Sequence, residues 1–460
     1  MTARPGPPVA VRLPLDPGPP IDPYALAGPA GIVFQSADRT LVGLGGALTL
    51  PLPHGLEASP DVDQVTGVLA SVACDDRFDP TTSGVMAFGA LPFDRAEPAA
   101  LVVPRIVYGA EASGQEWVTV VADDRADLPD GSAGLRAWLV HQAEGRPAGS
   151  TGPGGGDRPG DRAGPARLPS ITPRTSDASF CAMVAESVRA VESGEVAKVV
   201  VARHVDVRMG DAIDVVALLR RWHRMEPTCA VFSMPTPHGH LVGASPELLV
   251  ERSGLGVRSR PLAGTTDRAG GSGSVLPREL LASTKDSAEH RMVVEAVGEA
   301  LAPLCSELDV PTRPDLVHLH NITHLGTSVA GTLRRGPDGS ALTALALVAA
   351  LHPTPAVGGV PRHRALDLIS RLEPEARGYY AGAVGYVDGR GDGRWMIGIR
   401  AMTVNGADAR LTAGVGVVAG SDPRTELAET SLKLTAAFDA LAPGLPFTTT
   451  DHHRADEAVG

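Results

Sequence analysis

The chain predicts a mixed α/β fold with mostly antiparallel strands. Short β-branched runs are punctuated by glycine, helical spacings fall between them, and no short-period solenoid repeat is present. Residues 1–28 are rich in proline and glycine and read as extended or disordered. Order is expected over 29–144, beginning with short strands at Ile32-Val33-Phe34 and Thr40-Leu41-Val42-Gly43. Residues 145–169 carry Gly-Pro-Gly-Gly-Gly and read as a flexible loop or linker, across which strands can still pair.

A larger part follows at 170–441, with a tail at 442–460. Phe180, Met183, Val184, Val188 and Val191 recur at helical spacing, and Gly194 is a stop. The β-branched run from Lys198 to Arg203 has the character of a buried strand. Further strands are expected at 230–234, 240–242, 248–252, 381–387, 395–403 and 410–418. Helices are expected at 277–304, 340–351, 364–373 and 423–441, the last opened by Asp422 as cap and Pro423 in the first turn.

With 460 residues, 43% hydrophobic and 20% charged, the composition is that of a globular, enzyme-like protein. A net charge of −12 excludes a general nucleic-acid or anionic-membrane binder, which needs a basic face, but leaves room for a basic pocket. Cys74, Cys181, Cys229 and Cys305 are widely spaced, with no C-x-x-C, so they read as thiols in a reducing compartment. The start, Met1-Thr-Ala-Arg-Pro-Gly-Pro-Pro, lacks a signal-peptide core, and the longest apolar run, 341–351, is too short to cross a bilayer. A cytoplasmic protein is expected.

Two acidic pairs carry the clearest chemistry. Asp286 and Glu289, and again Glu426 and Glu429, stand three residues apart in helical contexts, so each pair shares a helix face. Either pair alone is more simply read as a solvated face. Four acids converging on one point would repel unless a cation sat between them, and all-oxygen ligation suits a hard ion such as Mg²⁺.

Other residues add to this. Lys198 opens an apolar strand, where lost solvation would favour the neutral amine of a general base; a strand-entrance lysine with its head in water fits equally well. Glu247, in Gly243-Ala-Ser-Pro-Glu, is placed by a turn before an apolar strand and would stay protonated if buried, unless it caps the turn or pairs with an arginine. Arg400 interrupts another apolar run and could grip a carboxylate in bidentate fashion. Lys433 is either a second positive charge for that anion or the partner of Glu429 one turn away. His290 and His324 could orient a substrate or be satisfied structural histidines. Pro261-Leu-Ala-Gly-Thr-Thr266 and Ala413-Gly-Val-Gly-Val417 bring small residues that let backbone approach a ligand or pack tightly against a strand.

Taken in order, Lys198-Val-Val-Val-Ala-Arg, Gly-Ala-Ser-Pro-Glu247, Pro-Leu-Ala-Gly-Thr265, Ser-Thr-Lys-Asp286-Ser-Ala-Glu289-His290, His324-Leu, Leu351-His-Pro-Thr-Pro-Ala356, Ile-Arg400, Ala-Gly-Val-Gly416-Val and Glu426-Leu-Ala-Glu429-Thr-Ser-Leu-Lys433 resemble the chorismate-utilising enzymes, and among them the isochorismate synthases. Phe88-Gly-Ala-Leu-Pro-Phe93-Asp is similar to the N-terminal signature of the siderophore type. The resemblance implies large antiparallel sheets packed together, helices outside, and chorismate as substrate. It implies that Lys198 activates water for attack at C2 while Glu247 protonates the C4 hydroxyl. Mg²⁺ would hold the ring carboxylate, with Glu289 and Glu429 as direct ligands and Asp286 and Glu426 acting through water. Arg400, Lys433 and the Gly414 backbone would bind substrate carboxylate, and Tyr380, His324 and Thr265 would line the pocket.

Single positions separate the relatives. Ammonia-using anthranilate synthases generally carry glutamine at the Lys198 position, and aminodeoxychorismate synthases a covalent lysine where this chain has Ala263. Salicylate synthases tend to place threonine or another polar residue near Ala356, so the apolar residue points to isochorismate as product. The competing expectations are a salicylate synthase, a menaquinone-pathway enzyme, and a silent chorismate-binding subunit; the last would be expected to have lost one of the site residues. Family precedent and the lack of a coiled-coil pattern favour a monomer without an amidotransferase subunit.

Overall fold

The computed structural model describes residues 8–78, 84–144, 168–267, 277–337 and 339–447. The linker stretch up to residue 167 and the end of the tail from 448 lie outside the described residues. Strands pair into sheets of thirteen, nine and three strands. Pairing is antiparallel throughout the described residues except where Val9–Pro14 runs parallel to Ala73–Asp76.

The largest sheet passes from Ser170–Pro173 through Lys198–Arg208, Asp408–Val417, Ala401–Asn405, Gly239–Ser245 and Ala230–Thr236 to Ile32–Gln35. The nine-stranded sheet has Leu248–Ser253, Gly393–Ile397, Ala383–Asp388 and Met86–Leu91 as neighbours. Both sheets therefore join strands from either side of the linker: Val231 opposes Gln35, and Tyr386 opposes Phe88. The sheets face one another over a shared apolar layer of Phe34, Phe88, Phe232, Tyr386 and Trp117. The Phe34 and Tyr386 rings meet edge to face at 5.4 Å. Helices pack outside; Val215–Met225, for example, buries Leu218, Leu219 and Trp222 and leaves its charged residues outward.

Three expectations need correction. Residues 9–14 form a strand rather than a disordered leader, because Val9–Pro14 is paired on both edges, by Glu116–Ala122 and by Ala73–Asp76. Asp22 then caps the short helix Pro23–Ala27 through Tyr24 N and Ala25 N. The helix expected at 277–304 is divided into Pro277–Leu280, Thr284–Leu301 and a 3₁₀ turn Ala302–Leu304, because Ser283 starts a new cap by accepting from Asp286 N. The single strand expected at 395–403 is two. Gly393–Ile397 belongs to the nine-stranded sheet and Ala401–Asn405 to the thirteen-stranded one, and the chain crosses between them over 398–400, with Arg400 at a φ of 51° directly before the second strand.

The last helix, Pro423–Leu441, begins at the expected Asp422 cap. All four cysteines are free, with Cys229 and Cys305 buried. No helix among the described residues is long and apolar enough to cross a membrane.

Candidate active site

The crossing at Arg400 opens one wall of a cavity between the sheets, closed on the other side by the helices Thr284–Leu301 and Pro423–Leu441. Glu247, Thr265, Asp286, Glu289, His324, Ala356, Tyr380, Arg400, Gly414, Glu426, Glu429 and Lys433 all line it. Lys198 does not. It is 1% exposed and stands behind Glu289, with Nζ 2.9 Å from Glu289 Oε1. The pair fits because residue 416 is glycine: a Cβ there would lie 2.3 Å from Glu289 Oε1 and 2.8 Å from Lys198 Cε. His290 also lies off the cavity, its Nε2 2.7 Å from Thr327 Oγ1.

Glu247 sits in the turn between Gly239–Ser245 and Leu248–Ser253 and is 3% exposed. Burial pushes its carboxyl up to about 7, against the opposing pull of Leu262 N–H and the cations Lys198, Lys433 and Arg400. A carboxyl group so placed is half protonated near neutral pH, as a proton donor requires.

Arg400 is fixed by a histidine. Its Nη2 donates to His324 Nε2 at 2.9 Å, which leaves Nδ1 as the protonated nitrogen, donating to Gly264 O at 3.0 Å. Burial, with Arg400 and Lys433 nearby, holds the imidazole well below its ordinary pKa, so it stays neutral and accepts. Gly264 takes a φ of 74° beside Asp286, and a Cβ on it would press on the Asp286 side chain at 3.1 Å. Lys433 Nζ donates to Gly414 O at 2.9 Å and pairs with Glu429 Oε1 at 2.6 Å, so this lysine is the partner of Glu429 one turn away.

The four carboxylates share the cavity without meeting at one point. Among the described residues no three His, Cys, Asp or Glu side chains stand close enough to hold a metal ion as they are. The expectation of convergence is corrected here, and the reason is electrostatic. Lys198 takes Glu289, Lys433 takes Glu429, Lys285 Nζ takes Glu426 Oε1 at 3.0 Å, and Ser283 Oγ donates to Asp286. Internal ammonium groups thus supply counter-charge that the sequence argument gave to a cation alone. The balance is incomplete. Burial raises Asp286, and the charges of Glu289 and Glu429 raise it further; burial and Glu429 likewise raise Glu426. Glu429 goes the other way, because Lys433 and Thr265 outweigh its burial.

A hard divalent ion fits this donor set. Mg²⁺ is commonly held by one or two carboxylates, with water and substrate oxygens completing its shell, so a preformed cage of three is not required. Two carboxyls with raised pKa values mark where added positive charge would be most stabilising. Lys285 and Arg377 also line the cavity and were not singled out from sequence. Lys285 lay inside the Ser283–His290 motif, whereas Arg377 carried no sequence signal.

The chain is similar to known isochorismate synthases. A Mycobacterium tuberculosis protein named as a candidate isochorismate synthase MenF is 38% identical over 365 residues, 77% of this chain and 85% of the relative. The isochorismate synthase DhbC of Bacillus subtilis is 39% identical over 267 residues, covering 56% of this chain and 66% of the relative. The crystal structure of a candidate 2,3-dihydroxybenzoate-specific isochorismate synthase, DhbC from Bacillus anthracis, superposes with a TM-score of 0.70 at 31% identity, over 90% of this chain and 96% of that one. The model of the chorismate binding enzyme family matches residues 158–442, which hold the whole cavity lining, and the chain belongs to that family.

Proposed function

We propose that the protein is an isochorismate synthase, converting chorismate to isochorismate by adding water at C2 and expelling the C4 hydroxyl. The observation that carries this reading is a buried carboxyl held near neutrality in the cavity wall, Glu247, with Lys198, a lysine where ammonia-using relatives carry glutamine, standing just behind that wall at Glu289. Lys198 takes a proton from the incoming water and Glu247 gives one to the departing hydroxyl, so one water enters and one leaves. Arg400, set by His324, and Lys433 at Gly414 hold substrate carboxylate; Thr265, Tyr380 and Ala356 shape the wall around it. A Mg²⁺ ion would be held by Glu289 and Glu429, with Asp286 and Glu426 acting through water, and when bound it neutralises the ring carboxylate.

The product decides between this reading and salicylate synthesis. Purified protein with chorismate and Mg²⁺ is expected to yield isochorismate by chromatography. No pyruvate should appear when lactate dehydrogenase and NADH are coupled to the reaction. Ala356→Thr puts a hydroxyl into the apolar wall and is expected to admit a minor pyruvate-forming side reaction, because specificity on a shared scaffold is spread over several contacts. Stoichiometric pyruvate from the wild type would move the chain to the salicylate branch. The Phe88–Phe93 segment and the 2,3-dihydroxybenzoate-specific relative support a role in catechol siderophore supply.

Glu247 also predicts a pH profile. Its folded-state pKa, about 7, is raised above the ordinary value of 4.5, so the proton-donating form prevails below pH 7 and is lost as pH rises through it. The kcat/KM is expected to fall on the alkaline side of that value. Glu247→Gln should lower kcat by roughly 10²–10⁴-fold and flatten this limb. A limb unchanged in the Gln variant would assign it to another group.

A further inference from the structure

Backbone pairing is incomplete along the outer edge of Lys198–Arg208. Val360 and Gly359 pair with Lys198 and Val199, and Ser170–Pro173 pairs with the far end from Val205. Between them Val200 N reaches Gly358 O, but Val200 O and Ala202 N face outward and need partners. Two side chains just after the helix Arg362–Leu372 supply them. Ala202 N donates to Glu373 Oε1 at 2.9 Å, and Arg377 Nη2 donates to Val200 O at 2.7 Å.

The two side chains are joined to each other, Arg377 Nε to Glu373 Oε2 at 2.8 Å, and are 1% and 3% exposed. Arg377 Nη1 donates to Val357 O at 2.7 Å, beside Ala356. The Phe93 ring covers the guanidinium at 4.2 Å; Phe93 N donates to Gly378 O at 2.8 Å, and Phe93 O lies 3.1 Å from His352 Nε2. Arg377 is thus where the Phe88–Phe93 segment and the Leu351–Ala356 segment meet the strand that begins with Lys198.

A buried ion pair is weak evidence of stability, since apolar residues of similar volume often do as well. What a planar fork adds is direction. Four of the five Arg377 N–H groups are committed to Glu373, Val200 and Val357, which leaves little for a substrate although the residue borders the cavity. We propose that Glu373 and Arg377 are positioning residues: the pair takes the place of a neighbouring strand and fixes the Ala356–Val357 wall relative to Lys198. The proposal rests on the isochorismate synthase reading.

The test compares Glu373→Gln, Arg377→Lys and Phe93→Leu with the wild type for kcat, KM for chorismate, melting temperature and hydrogen exchange in segments 200–203 and 354–360. Glu373→Gln keeps an acceptor for Ala202 N; Arg377→Lys keeps the charge but loses the fork. Both are expected to lower kcat at least tenfold with KM within about threefold, because the pair orients the wall without gripping the anion. Exchange should rise in both segments. Phe93→Leu leaves every hydrogen bond of the pair in place and is expected to show the same pattern at about threefold in kcat. Any of the three that folds and retains wild-type kcat overturns the proposal, as does a loss of kcat that only tracks the unfolded fraction. A wild type that forms no isochorismate overturns the reaction assignment instead, and the two failures are told apart by that first measurement.

Discussion

Glu289→Ala and Glu429→Ala are each expected to lower kcat by about 10²-fold or more, and removal of divalent cations with EDTA should have the same effect on the wild type. The two variants lose it for partly different reasons. Glu429→Ala removes one proposed oxygen ligand and releases Lys433, which keeps its second bond to Gly414 O. Glu289→Ala removes the other proposed ligand and also leaves Lys198 buried without a counter-charge, so a stability loss should accompany the kinetic one. Melting curves separate these contributions, and Glu429→Ala is the cleaner probe of the metal. Asp286→Asn and Glu426→Gln, assigned to the outer shell, are expected to act through metal affinity. Their half-saturating Mg²⁺ should rise roughly 10–100-fold, with kcat at saturating Mg²⁺ recovering most of its value. Undiminished turnover in metal-free protein would remove the ion from the assignment, leaving the lysines to balance the carboxylates alone.

Local patterns made much of this site legible. Acidic pairs at helical spacing place two side chains on one face whatever the tertiary fold, and the Ser283 and Asp422 caps set where each helix begins. Glu247 before an apolar strand was legible for the same reason. The Glu429–Lys433 pair was legible from its one-turn spacing, but the other two acid–lysine pairs were not, because Lys198 reaches Glu289, and Lys285 reaches Glu426, only after distant elements have packed. Arg400 could be seen as a charge in an apolar run. That the strand breaks there and changes sheets depends on a positive φ at a non-glycine residue, which no residue type announces. Glu373 and Arg377 carried no signal in the sequence, because only the gap along the Lys198–Arg208 edge gives them their buried partners. The N-terminal strand was hidden by its setting of prolines and glycines, since what stabilises Val9–Pro14 is pairing with two remote strands.

Lys198→Ala is expected to lower kcat by roughly 10²–10⁴-fold, the range typical of a general base. Because Lys198 stands behind Glu289 and does not border the cavity, KM for chorismate should change by less than about threefold. That split distinguishes proton transfer from substrate binding: a residue gripping the substrate would raise KM, as Arg400→Ala is expected to do. The same placement sets a condition on the mechanism. While Glu289 Oε1 lies 2.9 Å from Nζ, the carboxylate stands between the amine and the cavity from which water would come. Lys198 can act as a base only when Glu289 turns away from it, and Glu289 is the residue also assigned to the metal. Lys198→Gln, which keeps a hydrogen bond to Glu289 and fills the space beside Gly416, guards against a merely structural loss. If it folds like the wild type and turns over chorismate within a factor of about two, Lys198 is not the base and the water must be activated by another group.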